Sequence, residues 1–421
     1  MITKLLVLTI LLVSVLLTTT GKARVPAGAQ TQPIALVGGT IHTLAGKSIT
    51  GGTILMVDGK IAAVGIGLAL PDNTKIMDIS GRQVYPSMIH GRTTLGLAEI
   101  GAVAVTLDLA EVGNINPNIR AEVAFHPASR HIPVAAISGV GVAVTAPTGG
   151  IIAGMAAAML TDGWTWEEMV LKAPVGLVVN WPAMHDAAAR DRALGELNKA
   201  FDNARRYRTA RMADATRHPV DVRWEAMIPV LNREIPVLVN ASELRQIQAA
   251  IAWAEKQQVR MVLVGGRDAA YVADQLKADD IPVIVGPILG SPAREWEGYD
   301  RLYALPYHLY KAGVKFAIAG EASAAYTSRL PWHAAAAVAF GLPKEMGYKA
   351  ISKNLAEILG ICHLLGTIEP GKDATLLVTD GIPLEFQTTI HQVFIRGRQI
   401  DMTDHHRMQF ERYRERLRQQ E

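Results

Sequence analysis

A chain of 421 residues, 49% hydrophobic and 19% charged, can bury a large core and falls outside the disordered class. Its 42 basic and 39 acidic residues nearly balance, and the single cysteine, Cys362, excludes internal disulfides, zinc fingers and cysteine-ligated iron–sulfur sites.

The N-terminus reads MITKLLVLTILLVSVLLTTTGKARVPAGAQ. One lysine, Lys4, precedes an almost purely apolar run from Leu5 to Leu17. Thirteen helical residues reach about 20 Å, short of the roughly 30 Å hydrocarbon core. Small residues follow, with cleavage sites after Ala23 and after Ala29. Residues 1–29 therefore read as a secretory signal peptide of an exported protein, periplasmic or secreted. The alternative is an uncleaved N-terminal anchor. No other stretch is long and apolar enough to span a bilayer. Losing residues 1–29 removes Lys4, Lys22 and Arg24 and no acid, leaving 39 charges of each sign. The mature chain then has no basic excess to attract nucleic acid or a membrane surface.

Residues 30–85 read as short strands and turns. Asp58-Gly59 between two apolar runs predicts a hairpin. From 86 to 365, short apolar runs alternate with segments read as helical. VAVTAP is followed by GGIIAGMAAAML, VGLVVN by a polar-faced segment over 182–215, and IPVLVN by ASELRQIQAAIAWAEKQQ. VRMVLVGG, IPVIVGP and GVKFAIAGE continue the pattern. Seven or eight βα units predict an α/β fold, a (β/α)₈ TIM-like barrel, with a doubly wound sheet as the rival. Residues 366–400 return to strand character. They are expected to rejoin the first β unit as a small β-sandwich domain built from both chain ends. Residues 401–421 form a charged tail.

Three stretches carry a family resemblance: GGTIHTL with GGTILMVDGKIAAVG, VYPSMIHGRTTLGL, and GTIEPGKDATLLV. Together they resemble the amidohydrolase superfamily, in its imidazolonepropionase-like and dihydroorotase-like branch, over roughly residues 33–400. The resemblance implies a divalent metal at the C-terminal ends of the barrel strands, with histidine and carboxylate ligands.

The family's pattern places residues of other kinds at those positions. The first strand offers Arg92 and Thr94 where His-x-His is expected, and His90 where an aspartate is usual. IPVLVN ends in Asn240, VRMVLVGG in Gly265 and Gly266, and VGLVVN in Asn180. The last strand keeps a carboxylate, Glu321, in place of aspartate. Arginine stays protonated and cannot ligate a cation. The metal site is therefore expected to be degenerate, with no cofactor. Arg92 is expected to pair with Glu321, with Asn240 and Thr94 completing its hydrogen bonds. Of the other histidines, His126 and His131 read as loop residues, His333 as structural though near the mouth, and His405 and His406 as solvated.

Two functions follow. The first is a non-catalytic protein that binds a small, anionic molecule or a partner. Arg92 would hold the anion, and Trp296, with Tyr299, Tyr303 and Tyr307, would cover it. A homo-oligomer or association with an active relative fits that reading. The alternative is a hydrolase of non-peptide C–N bonds such as cyclic amides, with Glu321 or His90 as base. G-x-S-x-G, H-E-x-x-H and P-loop motifs are absent.

Overall fold

The computed structural model describes residues 24–420. The signal segment assigned to residues 1–29 therefore lies largely outside the described residues. Among these, no helix is long and apolar enough to cross a membrane.

The first sheet joins the two ends of the chain. It contains β1 (Ile34–Ile41), β2 (Ile49–Val57), β3 (Lys60–Gly65), β4 (Lys75–Asp78) and β5 (Gln83–Pro86). From the C-terminal end come β14 (Leu376–Thr379), β15 (Ile390–Ile395) and β16 (Arg398–Gln399). The path runs β16-β15-β14-β5-β1-β2-β3, with β4 paired to β1. This is one connected mixed sheet. The β2–β3 hairpin turns at Asp58 and Gly59, both at positive φ (48° and 78°), the conformation that a two-residue hairpin turn requires. Leu36, Ile54, Met56, Val84, Leu376 and Phe394 form the core of this sheet.

The second sheet holds the site. Its strands are β6 (Met88–Thr93), β7 (Val140–Thr145), β8 (Ile152–Leu160), β9 (Val170–Asn180), β10 (Val237–Ala241), β11 (Met261–Gly265), β12 (Val283–Val285) and β13 (Phe316–Ile318). They follow one another in chain order across the sheet. The β6–β7 pair and the β9-to-β13 ladders are parallel. Helices such as Ala187–Ala213 and Leu244–Gln257 connect them. The strands are buried on both faces and are therefore short apolar runs without alternation.

One element corrects the sequence reading. GGIIAGMAAAML is not a helix. Residues 152–160 form β8, antiparallel to both β7 and β9. All nine residues are buried. Alanine favours a helix when a solvated face is available, but a segment enclosed between two strands satisfies its backbone by pairing with them. The sheet therefore departs from a regular (β/α)₈ alternation.

The sheet curls until its end strands approach. Gly91 on β6 permits this, because a Cβ there would come 2.8 Å from Ile284 and 3.3 Å from Ala319. The seam is stitched by Ile89 N–H to the Ile351 carbonyl (2.8 Å) and Thr94 N–H to the Ala322 carbonyl (2.7 Å). The result is nearly a barrel. The C-terminal ends of its parallel strands place Arg92, Asn180, Asn240, Gly265 and Glu321 around one rim.

Candidate functional site

The rim residues fall into three groups. The first is a dyad. Glu321 follows β13, and His333 lies in the helix Leu330–Ala339. His333 Nδ1 accepts the backbone N–H groups of Ile288 (3.1 Å) and Leu289 (3.3 Å). Its proton therefore sits on Nε2, which donates to Glu321 Oε2 at 2.5 Å. The imidazole is wholly buried, while the Glu321 side chain stays 23% exposed. Burial pushes the His333 imidazole below its ordinary pKa, and Glu321 offsets part of this. Arg329 approaches the other oxygen of Glu321 at 4.0 Å and lies over the Tyr326 ring.

His90 adjoins this dyad. A Cβ on Gly320 would come 2.8 Å from His90 Nε2 and 3.4 Å from His333 Cδ2, so both rings flank the residue before Glu321. His90 is fully buried. Its Nδ1 accepts the Arg92 backbone N–H at 3.4 Å, and its Nε2 has no partner. Burial, then the neighbouring His333, pushes its pKa down to about 3, so the ring is neutral at physiological pH.

The second group is an amide chain. Asn180 Nδ2 donates to the carbonyls of Thr148 (2.9 Å) and Gly150 (2.8 Å), and Asn180 Oδ1 accepts from Asn240 Nδ2 at 2.6 Å. Asn240 Oδ1 is left buried without a donor. The chain ties the β7–β8 turn to the ends of β9 and β10 and leaves one free acceptor at the rim.

The third group is Arg92 alone, and here the expectation fails. Glu321 pairs with His333 and Arg329, and no ion pair joins it to Arg92. Asn240 and Thr94 do not serve the guanidinium either. Thr94 Oγ1 donates to the Ala322 carbonyl and accepts the Ala324 N–H, both at 3.2 Å, which makes it a seam residue. Burial alone pushes the Arg92 guanidinium below its ordinary value, with no carboxylate near enough to offset it. The group keeps its proton and stays a half-buried cation without an ion pair among the described residues.

Trp296 also departs from the expected position. It is 68% exposed, packs beside the Arg294 guanidinium (5.5 Å), and lines an outer groove of about 240 Å³ with Arg267, Arg301 and His308. Tyr299 and Tyr303 pack on Phe340. The loop is held from beneath by Asp268, which is fully buried. Asp268 accepts Arg294 Nη2 (2.6 Å), Arg301 Nη2 (3.2 Å) and the Leu244 N–H (3.0 Å) that starts the helix after β10. Trp296 faces the outer groove, and Tyr299 and Tyr303 pack on Phe340 within the loop region. His333 and Arg329, which do meet Glu321, were not among the site residues expected from sequence. Their approach is set by the helix after β13, not by any motif spacing.

The donor set does not suit a divalent metal. Among the described residues, no three of His, Cys, Asp and Glu converge. His333 presents a protonated nitrogen to Glu321 and spends the other on backbone N–H groups, so neither is free to ligate. His90 Nε2 and Glu321 remain, beside a guanidinium whose charge opposes a second cation.

The fold can be compared with known structures. An amidohydrolase from Thermotoga maritima matches with a TM-score of 0.81 and 24% identity, covering 87% of this chain and 99% of that one. The fold is that of the amidohydrolases. A molinate hydrolase (TM-score 0.56, 16% identity, 90% of this chain and 96% of that one) and a Xaa-Pro dipeptidase (0.53, 16%, 88% and 100%) share it more loosely. No protein-family model matches the sequence, and no curated protein does.

Proposed function

We propose that this is an exported, amidohydrolase-like protein whose barrel mouth binds a small anionic molecule, a carboxylate or phosphate, without metal-dependent hydrolysis. One observation carries the reading: Arg92 is a half-buried strand-end guanidinium matched by no acid among the described residues. A desolvated cation is costly unless a counter-charge arrives, and a planar guanidinium accepts a carboxylate through paired hydrogen bonds. The free acceptor Asn240 Oδ1 adds a polar contact for a ligand donor. The test is thermal stabilisation by acetate, succinate, N-acetylglycine and inorganic phosphate, against chloride at equal ionic strength. Saturable stabilisation by at least one anion, lost in Arg92→Met, is the expected result. No response to any of the four would refute the reading.

A second reading is hydrolysis of a cyclic amide or related C–N bond, and the His333–Glu321 dyad favours it. A partly exposed carboxylate held by an Nε2–H donor can take a proton from water, and Arg92 would steady the developing oxyanion. Turnover of a cyclic amide by the wild type, lost in Glu321→Gln, would favour this reading over the first.

A further inference from the structure

The two cleavage sites of the leader make different structures. The Ala-Gly-Ala run ending at Ala29 fits the small-residue cleavage pattern at both key positions, and Gly21 to Ala23 fits it equally in size. The sequence does not choose. The packing of residues 24–29 does.

Asp162, in the turn after β8, has a side chain only 1% exposed. It is neutralised by two cations from opposite ends of the chain. Arg24 Nη2 lies 3.3 Å from Oδ1, and Arg398 Nη2, from β16, lies 3.5 Å from Oδ2. The Ala27 backbone N–H donates to Oδ2 at 3.2 Å, and Arg398 Nη1 returns a bond to the Ala27 carbonyl at 3.4 Å. The Arg24 side chain is only 10% exposed. Asp401 and Asp404 add negative charge around it. Residues 24–29 thus form a strap that ties the barrel sheet at Asp162 to the edge of the other sheet at Arg398.

We infer that the leader is removed between Ala23 and Arg24, so that Arg24 becomes the mature N-terminus and its strap is part of the fold. This rests on the export reading given above. In the step, water cleaves the Ala23–Arg24 amide in the active site of a leader peptidase. The water oxygen bonds to the Ala23 carbonyl carbon as the C–N bond breaks, leaving a carboxylate, and both protons of that water pass to the Arg24 nitrogen, which becomes an ammonium. Cleavage after Ala29 instead discards Arg24 and the Ala27 N–H, leaving buried Asp162 with Arg398 alone. Gln30 keeps its own bonds to the Met56 carbonyl (2.8 Å) and the Gly59 N–H (2.9 Å) in either case.

The experiment is intact-mass measurement of the protein recovered from the exported fraction of a bacterial host. A mass corresponding to residues 24–421 is the expected result. A chain beginning at Gln30, or at any other residue, overturns the assignment while leaving export intact. An uncut chain in that fraction overturns the assignment in favour of an uncleaved anchor, protein found only in the cytoplasm overturns the export reading, and none of these results bears on Arg92. The strap is tested separately with purified chains beginning at Arg24 and at Gln30. The shorter chain should melt lower by about 3 °C, with Arg24→Gln in the longer chain giving part of that shift. Equal melting points for all three would show that the strap contributes nothing.

Discussion

Replacing Arg92 with methionine should make the protein more stable and abolish anion binding. Most residues that bear on stability do the reverse when changed, so the sign itself is informative. Arg92 brings a charge into a half-buried position and, among the described residues, receives no ion pair or side-chain hydrogen bond in return. Methionine has similar length and flexibility, fills the same space and carries no charge. Replacing a buried charge by an apolar group of similar volume yields about 1–4 kcal/mol, and the residual water contact of Arg92 places the gain at the low end, about 1–2 kcal/mol. Unfolding entropy of about 2 cal/mol/K per residue over roughly 400 residues converts this to about 1–3 °C in melting temperature. Urea denaturation followed by circular dichroism reads the same change as a higher midpoint at unchanged slope. The same variant should show no stabilisation by acetate, succinate, N-acetylglycine or phosphate. A loss of more than about 1 kcal/mol would show instead that the guanidinium has a favourable partner in the folded protein.

Acid should destabilise the protein well above the range in which carboxylates titrate. The His90 pKa is about 3 in the folded chain and about 6.5 unfolded, so the unfolded state takes up a proton first as pH falls. The stability this group contributes is complete above pH 6.5 and is lost from there down towards pH 3, at up to about 1.4 kcal/mol per pH unit. His333 is shifted the same way. Denaturation midpoints measured between pH 7 and 4.5 should fall accordingly, and His90→Gln should flatten the slope; an unchanged slope would show that His90 is protonated in the folded state. Asp268→Asn should cost about 3 kcal/mol, because it leaves Arg294 and Arg301 with Glu297 as their one remaining buried carboxylate among the described residues, and proteolysis should then cut the 286–300 loop. A loss below about 1 kcal/mol in urea denaturation would show that the network is not what holds the loop.

Much of the architecture was legible because local rules and global packing agree there. Asp58-Gly59 specified its hairpin through the only residues that accept the turn's positive φ cheaply. IPVLVN and VRMVLVGG read as buried parallel strands because each is a short apolar run between turn signals. β8 was misread because its alanines carry helix propensity, while the pairing that overrides it comes from β7 and β9, both outside the segment. At the rim, sequence placed Arg92, Asn180, Asn240 and Glu321 at or just past strand ends, since this follows from the order of the units. It could not supply the partners of those residues. Thr94 is consumed by the Ala322 seam, and Glu321 is taken by His333 from the following helix, which is why Arg92 stands alone. Trp296 was placed by its loop, and the loop by Asp268, a contact that no spacing announces.

Zinc binding by equilibrium dialysis of the purified chain near neutral pH tests whether this rim can hold a metal. A guanidinium at the strand end, a protonated His333 nitrogen turned to Glu321 and an isolated His90 predict far less than one equivalent retained, with Arg92→Met binding no more. One zinc per chain, lost on Glu321→Ala or His90→Gln, would contradict it.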